Sequence, residues 1–147
     1  MTGRILGIDF GEKRVGFAVS DPTQTIATAK EVVTVQSPAH AANEAARICR
    51  ETGAVQIVIG LPINMDGTRG PAVEKAVAFA ELLKTKTTVP VVLQDERLST
   101  KSAHDFLLEG GMRNEKRKLI VDKVAAEILL QSYLDRMTND QFPNEKG

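Results

Sequence analysis

The sequence predicts an α/β fold, a mixed five-stranded sheet in which an antiparallel meander of three strands is followed by two parallel strands, with flanking helices. Two observations predict it. Three strand-like runs separated by turn residues fill positions 4–35, and beyond them helical segments alternate with two short apolar runs. Because the chain has 147 residues and no internal repeat, we expect one domain over residues 1–136 and a flexible tail over residues 137–147.

The predicted meander consists of residues 4–9 (RILGID), 15–21 (VGFAVSD) and 26–35, the last rich in Thr, Val and Ala. The first two runs are joined by FGEKR. A short turn that contains glycine between two such runs is typical of a β-hairpin.

The parallel part is predicted by capping signals and by apolar runs. Ser37 and Pro38 form an N-cap followed by Pro at the first helical position, and Gly53 stops that helix after residue 51. The runs 54–60 and 89–94 do not alternate, as in strands buried on both faces of a parallel sheet. The remaining predictions are a polar loop over 61–70 and helices over 71–85, from Ser99 or Thr100 to Gly110, and over 118–136.

Composition limits the classes of function. A single cysteine, Cys49, excludes an internal disulfide and a cysteine-based zinc cluster within one chain, and we expect it to be inert packing. No apolar run approaches the roughly 20 residues that span a bilayer, and no leader is recognisable, so we expect a cytoplasmic protein without a membrane partner. Nineteen basic and nineteen acidic residues give no net charge, which argues mildly against nucleic acid as a partner.

Two acids stand at predicted strand ends, where ligands gather in an open α/β sheet. Asp9 closes an otherwise apolar strand, and Gly7 leaves space beside it on the same face. Glu96 follows the strand VVLQD. Each has an ordinary alternative: Asp9 could cap the turn at Gly11, and Glu96 could form a surface ion pair with Arg97 or Lys101.

A third acid, Asp122, falls on the apolar side of the last predicted helix. On a wheel of about 100° per residue, it lies between Leu129 and Tyr133, whereas Glu127 and Asp135 share the polar face. A carboxylate on a core-facing stripe is costly unless it is paired or bound to metal. The ordinary alternative is an acid near a helix N-terminus that interacts with the helix dipole.

Together the three acids favour phosphodiester hydrolysis assisted by two divalent ions about 4 Å apart, one activating water and one steadying the leaving oxygen. Ligands that are all oxygen select Mg²⁺ or Mn²⁺ over Zn²⁺. Neither His40 nor His104 has a partner at ligand spacing.

Two segments could hold a nucleic acid strand. The loop LPINMDGTRGP offers Asn64 and Arg69, or is an ordinary connection between a strand and a helix. The segment RNEKRK, residues 113–118, has four cations against one anion, and it is either a phosphate contact or a solvated turn. Its basic residues are Arg113, Lys116, Arg117 and Lys118.

Four motifs in order resemble the bacterial YqgF family, whose members are described as Holliday-junction resolvases and as pre-16S ribosomal RNA nucleases. The motifs are LGIDFGEKRVGFAVSD, VIGLPINMDGTRGP, VVLQDERLST and KRKLIVDKVAAEILLQSYLD. The resemblance implies a ribonuclease H-like fold and a metal-dependent endonuclease with Asp9, Glu96 and Asp122 as its acidic site. Arg14 and Arg97, within two of these motifs, join the predicted nucleic-acid contacts.

The family pattern also raises a question about the substrate. Junction resolvases of this fold use four acids, two of them close together on the last helix, and that fourth acid is missing here. Asp95, Asp21 or Asp66 could replace it. We therefore expect processing of the 5′ end of pre-16S ribosomal RNA, with four-way DNA junctions as the alternative substrate and a monomer or homodimer as the active form. Two further hypotheses are a non-catalytic ribosome-assembly factor and an actin-like ATP-binding module, since the first motif also resembles an ATPase phosphate loop.

Overall fold

The computed structural model describes residues 3–64, 66–96 and 114–141, with side chains in the last range described for residues 124–137. The strands are β1 (Ile5–Phe10), β2 (Arg14–Ser20), β3 (Ala27–Thr34), β4 (Gln56–Leu61) and β5 (Val91–Asp95). The helices are α1 (Pro38–Thr52), α2 (Pro71–Lys84) and α3 (Asn114–Gln141). The helix predicted from residue 99 or 100 to Gly110 lies outside the described residues. No helix in the described ranges is long and apolar enough to cross a membrane.

The five strands form one sheet in the order β3-β2-β1-β4-β5. β1 pairs with β2, and β2 with β3, in antiparallel fashion, whereas β4 runs parallel to both β1 and β5. The predicted mixed sheet is thus confirmed. Its consequence for function is that the carboxyl ends of β1, β4 and β5 lie side by side along one edge, called the carboxyl edge below.

Helices cover both faces of the sheet. One face packs against α1 and α2 through Leu6, Ile8, Ile57, Ile59, Ala45 and Phe79. The other face packs against α3 through Ile5, Ala18, Val58, Ala126, Leu130 and Leu134. Since successive strand residues point to opposite faces, burial on both sides explains why the β4 run shows no polar alternation.

The termini of α1 follow the predicted capping chemistry. The Ser37 side chain accepts a hydrogen bond from the backbone N–H of His40 over 3.1 Å, and Pro38 is the first helical residue. Gly53 has φ of +71°, the left-handed conformation that glycine adopts at a helix end.

Helix α3 lies antiparallel to β1 and β4. The Tyr133 hydroxyl accepts a hydrogen bond of 2.8 Å from the Gln56 side chain at the amino end of β4. Leu130 and Ala126, nearer the helix N-terminus, lie over Gly7 in β1, where a Cβ atom would be only 2.8 Å from Leu130 Cβ. The N-terminal part of α3 is therefore directed toward the carboxyl edge.

The bounds of α3 differ from the predicted 118–136 at both ends. Residues 114–117 are helical because Glu, Lys and Arg are strong helix formers, so the basic segment belongs largely to the helix rather than to a turn. At the other end the helix reaches Gln141, and Met137 still packs against the core.

Candidate active site at the carboxyl edge

Asp9 is half-buried near the end of β1, on the face that α3 covers. Its antiparallel neighbour on β2 is Gly16. On β4 the last residue paired with β1 is Ile59, opposite Ile8, so the next position along that strand is Gly60. Both flanking positions on this face are therefore glycine, which leaves space around the carboxylate.

Glu96 extends into part of that space. It follows β5 directly and is half-buried. Its side chain lies on Gly60, since a Cβ built there would be 2.6 Å from both Glu96 Cγ and Oε2 and 2.8 Å from Cδ. The Glu96 carboxyl group thus lies over β4, the strand between its own and that of Asp9.

Asp122 lies on α3, one helical turn before Ala126. Its side chain is outside the described set. Among the described side chains, no three His, Cys, Asp or Glu residues form a group that could hold a metal ion.

Asp21 is excluded from this site by its position. It follows β2 beyond Ser20, and the pairing of Leu6 with Val19 places this end of β2 beside the start of β1, at the edge opposite Asp9. Its carboxylate accepts hydrogen bonds of 2.8 Å from the backbone N–H groups of Thr25 and Ile26. Asp21 therefore stabilises a turn.

Asp95 and Asp66 lie at the carboxyl edge, but Asp95 is on the other face of the sheet and Asp66 accepts hydrogen bonds within its own loop. Asp95 pairs with Leu61, which packs against α2, so alternation places Asp95 on the face opposite Glu96. One Asp66 oxygen accepts hydrogen bonds from the Thr68 backbone N–H and hydroxyl at 2.9 and 2.7 Å.

The predicted substrate loop is a closed turn at the carboxyl edge. Asn64 accepts from Gly67 N–H at 2.8 Å through its carbonyl, and its side-chain amide donates to the Thr68 hydroxyl at 2.9 Å. Gly67 has φ of +91°, which the turn requires. Arg69 is exposed just before α2 begins.

The other predicted nucleic-acid contacts are only partly described. Arg14 is half-buried at the start of β2, beside the turn that follows Asp9. Lys116, Arg117 and Lys118 lie in the first turns of α3, and their side chains are outside the described set. Arg97 and Arg113 lie outside the described residues.

Histidine and cysteine have structural positions where the structure describes them. His40 Nδ1 accepts a hydrogen bond of 3.1 Å from the backbone N–H of Gln36 at the start of α1. Cys49 is buried, and burial raises the pKa of its thiol, so it is less readily ionised than an exposed cysteine. His104 lies outside the described residues.

Sequence reasoning missed three residues that shape the site. Gly16 and Gly60 flank Asp9, and the buried Gln94 donates from its side chain to the Leu129 carbonyl over 3.2 Å, which joins β5 to α3. Two signals were available in the sequence. Gly60 is a glycine near the end of an apolar strand, and Gln94 is an amide two residues before the candidate acid Glu96.

Comparison with known proteins identifies relatives over most of the chain. A family model described as "RuvX: Holliday junction resolvase" matches residues 3–136. A protein of Clostridium novyi (strain NT), named "Putative pre-16S rRNA nuclease", is 44% identical over 132 residues, 90% of this chain and 98% of that protein. One of the same name from Syntrophus aciditrophicus (strain SB) is 39% identical over 142 residues, 97% of this chain and 95% of that protein.

Solved structures share the fold at low sequence identity. Thermus thermophilus RuvC in complex with a Holliday junction substrate superposes with a TM-score of 0.58 at 16% identity, covering 92% of this chain and 96% of that one. The yeast mitochondrial Holliday junction resolvase gives a TM-score of 0.57 at 11% identity, covering 97% and 84%. These likenesses confirm the predicted ribonuclease H-like fold. Because the family match extends over nearly the whole chain, this protein belongs to the RuvX, or YqgF, family of nucleases.

Proposed function

We propose that the chain is a metal-dependent endonuclease that hydrolyses phosphodiester bonds, with Asp9, Glu96 and Asp122 as its catalytic residues and metal ligands. The observation that carries the proposal is the position of the Glu96 carboxyl group on Gly60, on the strand next to that of Asp9. Asp9 near the end of β1 and Glu96 directly after β5 are both half-buried at the carboxyl edge, and Gly60 lies between them.

The geometry of α3 supports the inclusion of Asp122. Ala126 lies over Gly7, and the helix is antiparallel to β1. One turn toward the helix N-terminus covers roughly 6 Å, and two residues along β1, from Gly7 to Asp9, cover about the same length. Position 122 is thus expected at the level of Asp9, on the face of the helix that Ala126 shares.

The donor set fits Mg²⁺ or Mn²⁺. Carboxylate oxygens are the ligands that these ions prefer, and glycine on both sides of Asp9 leaves room for an ion beside it. Two ions, when bound, would activate a water molecule and stabilise the leaving oxygen. The chain's own contribution is to hold the carboxylates against the rigid sheet and to limit access of bulk water beneath α3.

The substrate strand would follow the carboxyl edge. Arg14 and the loop with Asn64 and Arg69 lie along this edge and could bind phosphate or sugar oxygens. The basic residues Arg97, Arg113, Lys116, Arg117 and Lys118 would add positive charge, which matters because the whole chain has no net charge.

For the substrate itself we propose the 5′ end of pre-16S ribosomal RNA, processed in the cytoplasm. Relatives 39–44% identical over nearly their full length carry that substrate in their names. The second candidate is a four-way DNA junction, which the family description favours. A junction is two-fold symmetric and would require a symmetric dimer.

Cleavage assays on both substrates test the proposal. Purified wild type with Mg²⁺ or Mn²⁺ should cleave a 5′-extended ribosomal RNA precursor in preference to a synthetic four-way junction. Asp9→Asn should reduce cleavage by about a thousandfold or more, since it removes a transition-state interaction, while RNA binding persists. Asp21→Asn is the matched control, because it changes an acid at the opposite edge, and it should cleave normally.

The same variants separate the alternatives. If Asp9→Asn restores growth and ribosomal RNA maturation in cells that lack the protein, a non-catalytic assembly role replaces the nuclease. If the junction is cleaved and the RNA precursor is not, the substrate proposal is wrong and the nuclease remains.

A further inference from the structure

Gly60 occupies an unusual place on β4. It is buried on the face that α3 covers, two residues after Val58, which packs against the same helix. Its neighbour on β5 is Gln94, and its neighbour toward β1 is the position of Asp9. Any side chain at position 60 would therefore project between the strands that carry Asp9 and Glu96.

The backbone does not explain why this residue is glycine. Gly60 is not among the described residues with positive φ, and the pairing of β4 with β5 continues through it without a register shift. Any residue could adopt this conformation, and glycine inside a strand is unfavourable because it packs no side chain and loses more conformational entropy on folding.

The contact with Glu96 does explain it. A Cβ at position 60 would be 2.6 Å from Glu96 Cγ and Oε2, shorter than real contacts allow. Rotation of the carboxyl group could relieve the clash with the oxygen alone. The clash with Cγ requires the whole side chain to move away from Gly60.

We propose that Gly60 is a positioning residue whose missing side chain gives Glu96 its place over β4 beside Asp9. The proposal rests on the proposed function, and it deepens that function by naming the residue that sets the separation of two metal ligands. Gly60 makes no contact with substrate in this role and acts only through Glu96.

Metal affinity measures this role directly. Mn²⁺ binding to the nucleic-acid-free protein is followed by calorimetry for wild type and Gly60→Ala. Loss of correct ligand placement should weaken Mn²⁺ binding by roughly 10-fold to 100-fold, and it should lower kcat for RNA cleavage with little change in KM. Gly53→Ala is the control. Alanine is unfavourable at the left-handed φ of +71° that residue 53 adopts, so this variant is destabilised at the end of α1, away from the site. Its Mn²⁺ affinity should stay at the wild-type value.

A double-mutant cycle of unfolding free energies tests the proposal even if Gly60→Ala folds poorly. Urea unfolding is compared for wild type, Gly60→Ala, Glu96→Ala and the double variant. Because Glu96→Ala removes the atoms that clash, Gly60→Ala should destabilise that background less than it destabilises wild type. Equal destabilisation in both backgrounds overturns the proposal.

The outcomes separate this inference from the function on which it rests. A wild-type protein that neither binds Mn²⁺ nor cleaves nucleic acid overturns the proposed function. An active wild type with an equally active, equally Mn²⁺-binding Gly60→Ala overturns only the role of Gly60.

Discussion

At the scale of single residues, Asp21 shows how a carboxylate can be strongly perturbed without belonging to the site. Hydrogen bonds from the Ile26 N–H, the Thr23 hydroxyl and the Thr25 N–H hold its pKa far below the usual value of 3.8. All three partners belong to the turn between β2 and β3. The perturbation therefore reflects local turn structure, and a shifted pKa is not by itself evidence that an acid belongs to a functional site.

Asp21 also predicts a pH dependence of stability. Because its pKa is lower in the folded than in the unfolded chain, its contribution is fully present above pH 3.8 and is lost as pH falls below that value. Asp21→Asn should lower stability at neutral pH and flatten its decline in acid. Urea unfolding free energies of both proteins across the acid range measure this, and parallel curves down to the acid limit would contradict it.

The candidate acids were accessible from the sequence because each is chemically out of place. Asp9 and Glu96 end apolar runs, and Asp122 interrupts an apolar helix stripe. Gly16 and Gly60 were not accessible in the same way, because their importance comes from lateral neighbours. Register between strands decides those neighbours, and composition does not reveal it.

At the scale of elements, the five strands and the helices α1 and α2 follow from period, capping and turn residues. The bounds of α3 did not follow. Its first turn consists of polar residues, which resemble a solvated loop in sequence but have high helix propensity. Near its other end, Met137 packs against the core. Tertiary packing thus extended a helix that the apolar pattern alone made too short.

The packing of α3 on β1 gives a prediction at this scale. Gly7→Ala would place a methyl group 2.8 Å from Leu130 Cβ and 3.5 Å from the Ala126 carbonyl oxygen. Overpacking of this kind costs about 1–3 kcal/mol of stability. Because α3 carries Asp122, displacement of the helix should also reduce cleavage.

Urea unfolding and RNA cleavage test Gly7→Ala together. The expected result is a lower unfolding midpoint and lower kcat at a temperature where the variant is fully folded. Gly53→Ala, at the end of α1 on the face of the sheet that α3 does not cover, should lose stability without loss of cleavage. Full cleavage by folded Gly7→Ala would show that the site does not depend on how closely α3 approaches β1.

At the scale of the whole molecule, the three proposed metal ligands come from segments that are far apart in the chain. Asp9 comes from the antiparallel meander, Glu96 from the end of the parallel part and Asp122 from the last helix. Only the folded chain holds these three segments next to one another, so a metal ion that binds all three acids would bind the folded state and not the unfolded chain. Metal binding should therefore stabilise the fold.

This coupling predicts that one substitution removes the stabilisation by metal. Asp9→Asn removes one proposed ligand, so the gain in unfolding free energy with Mn²⁺ is measured for each protein relative to the same protein without metal. Mn²⁺ at a hundred times its Kd should stabilise wild type by about 2.7 kcal/mol, and the variant should gain much less at the same concentration. Asp21→Asn, with its acid at the opposite edge, should keep the full gain from Mn²⁺. An equal gain for Asp9→Asn and wild type would mean that the ion binds elsewhere, and Asp9 would then have to be removed from the proposed ligands.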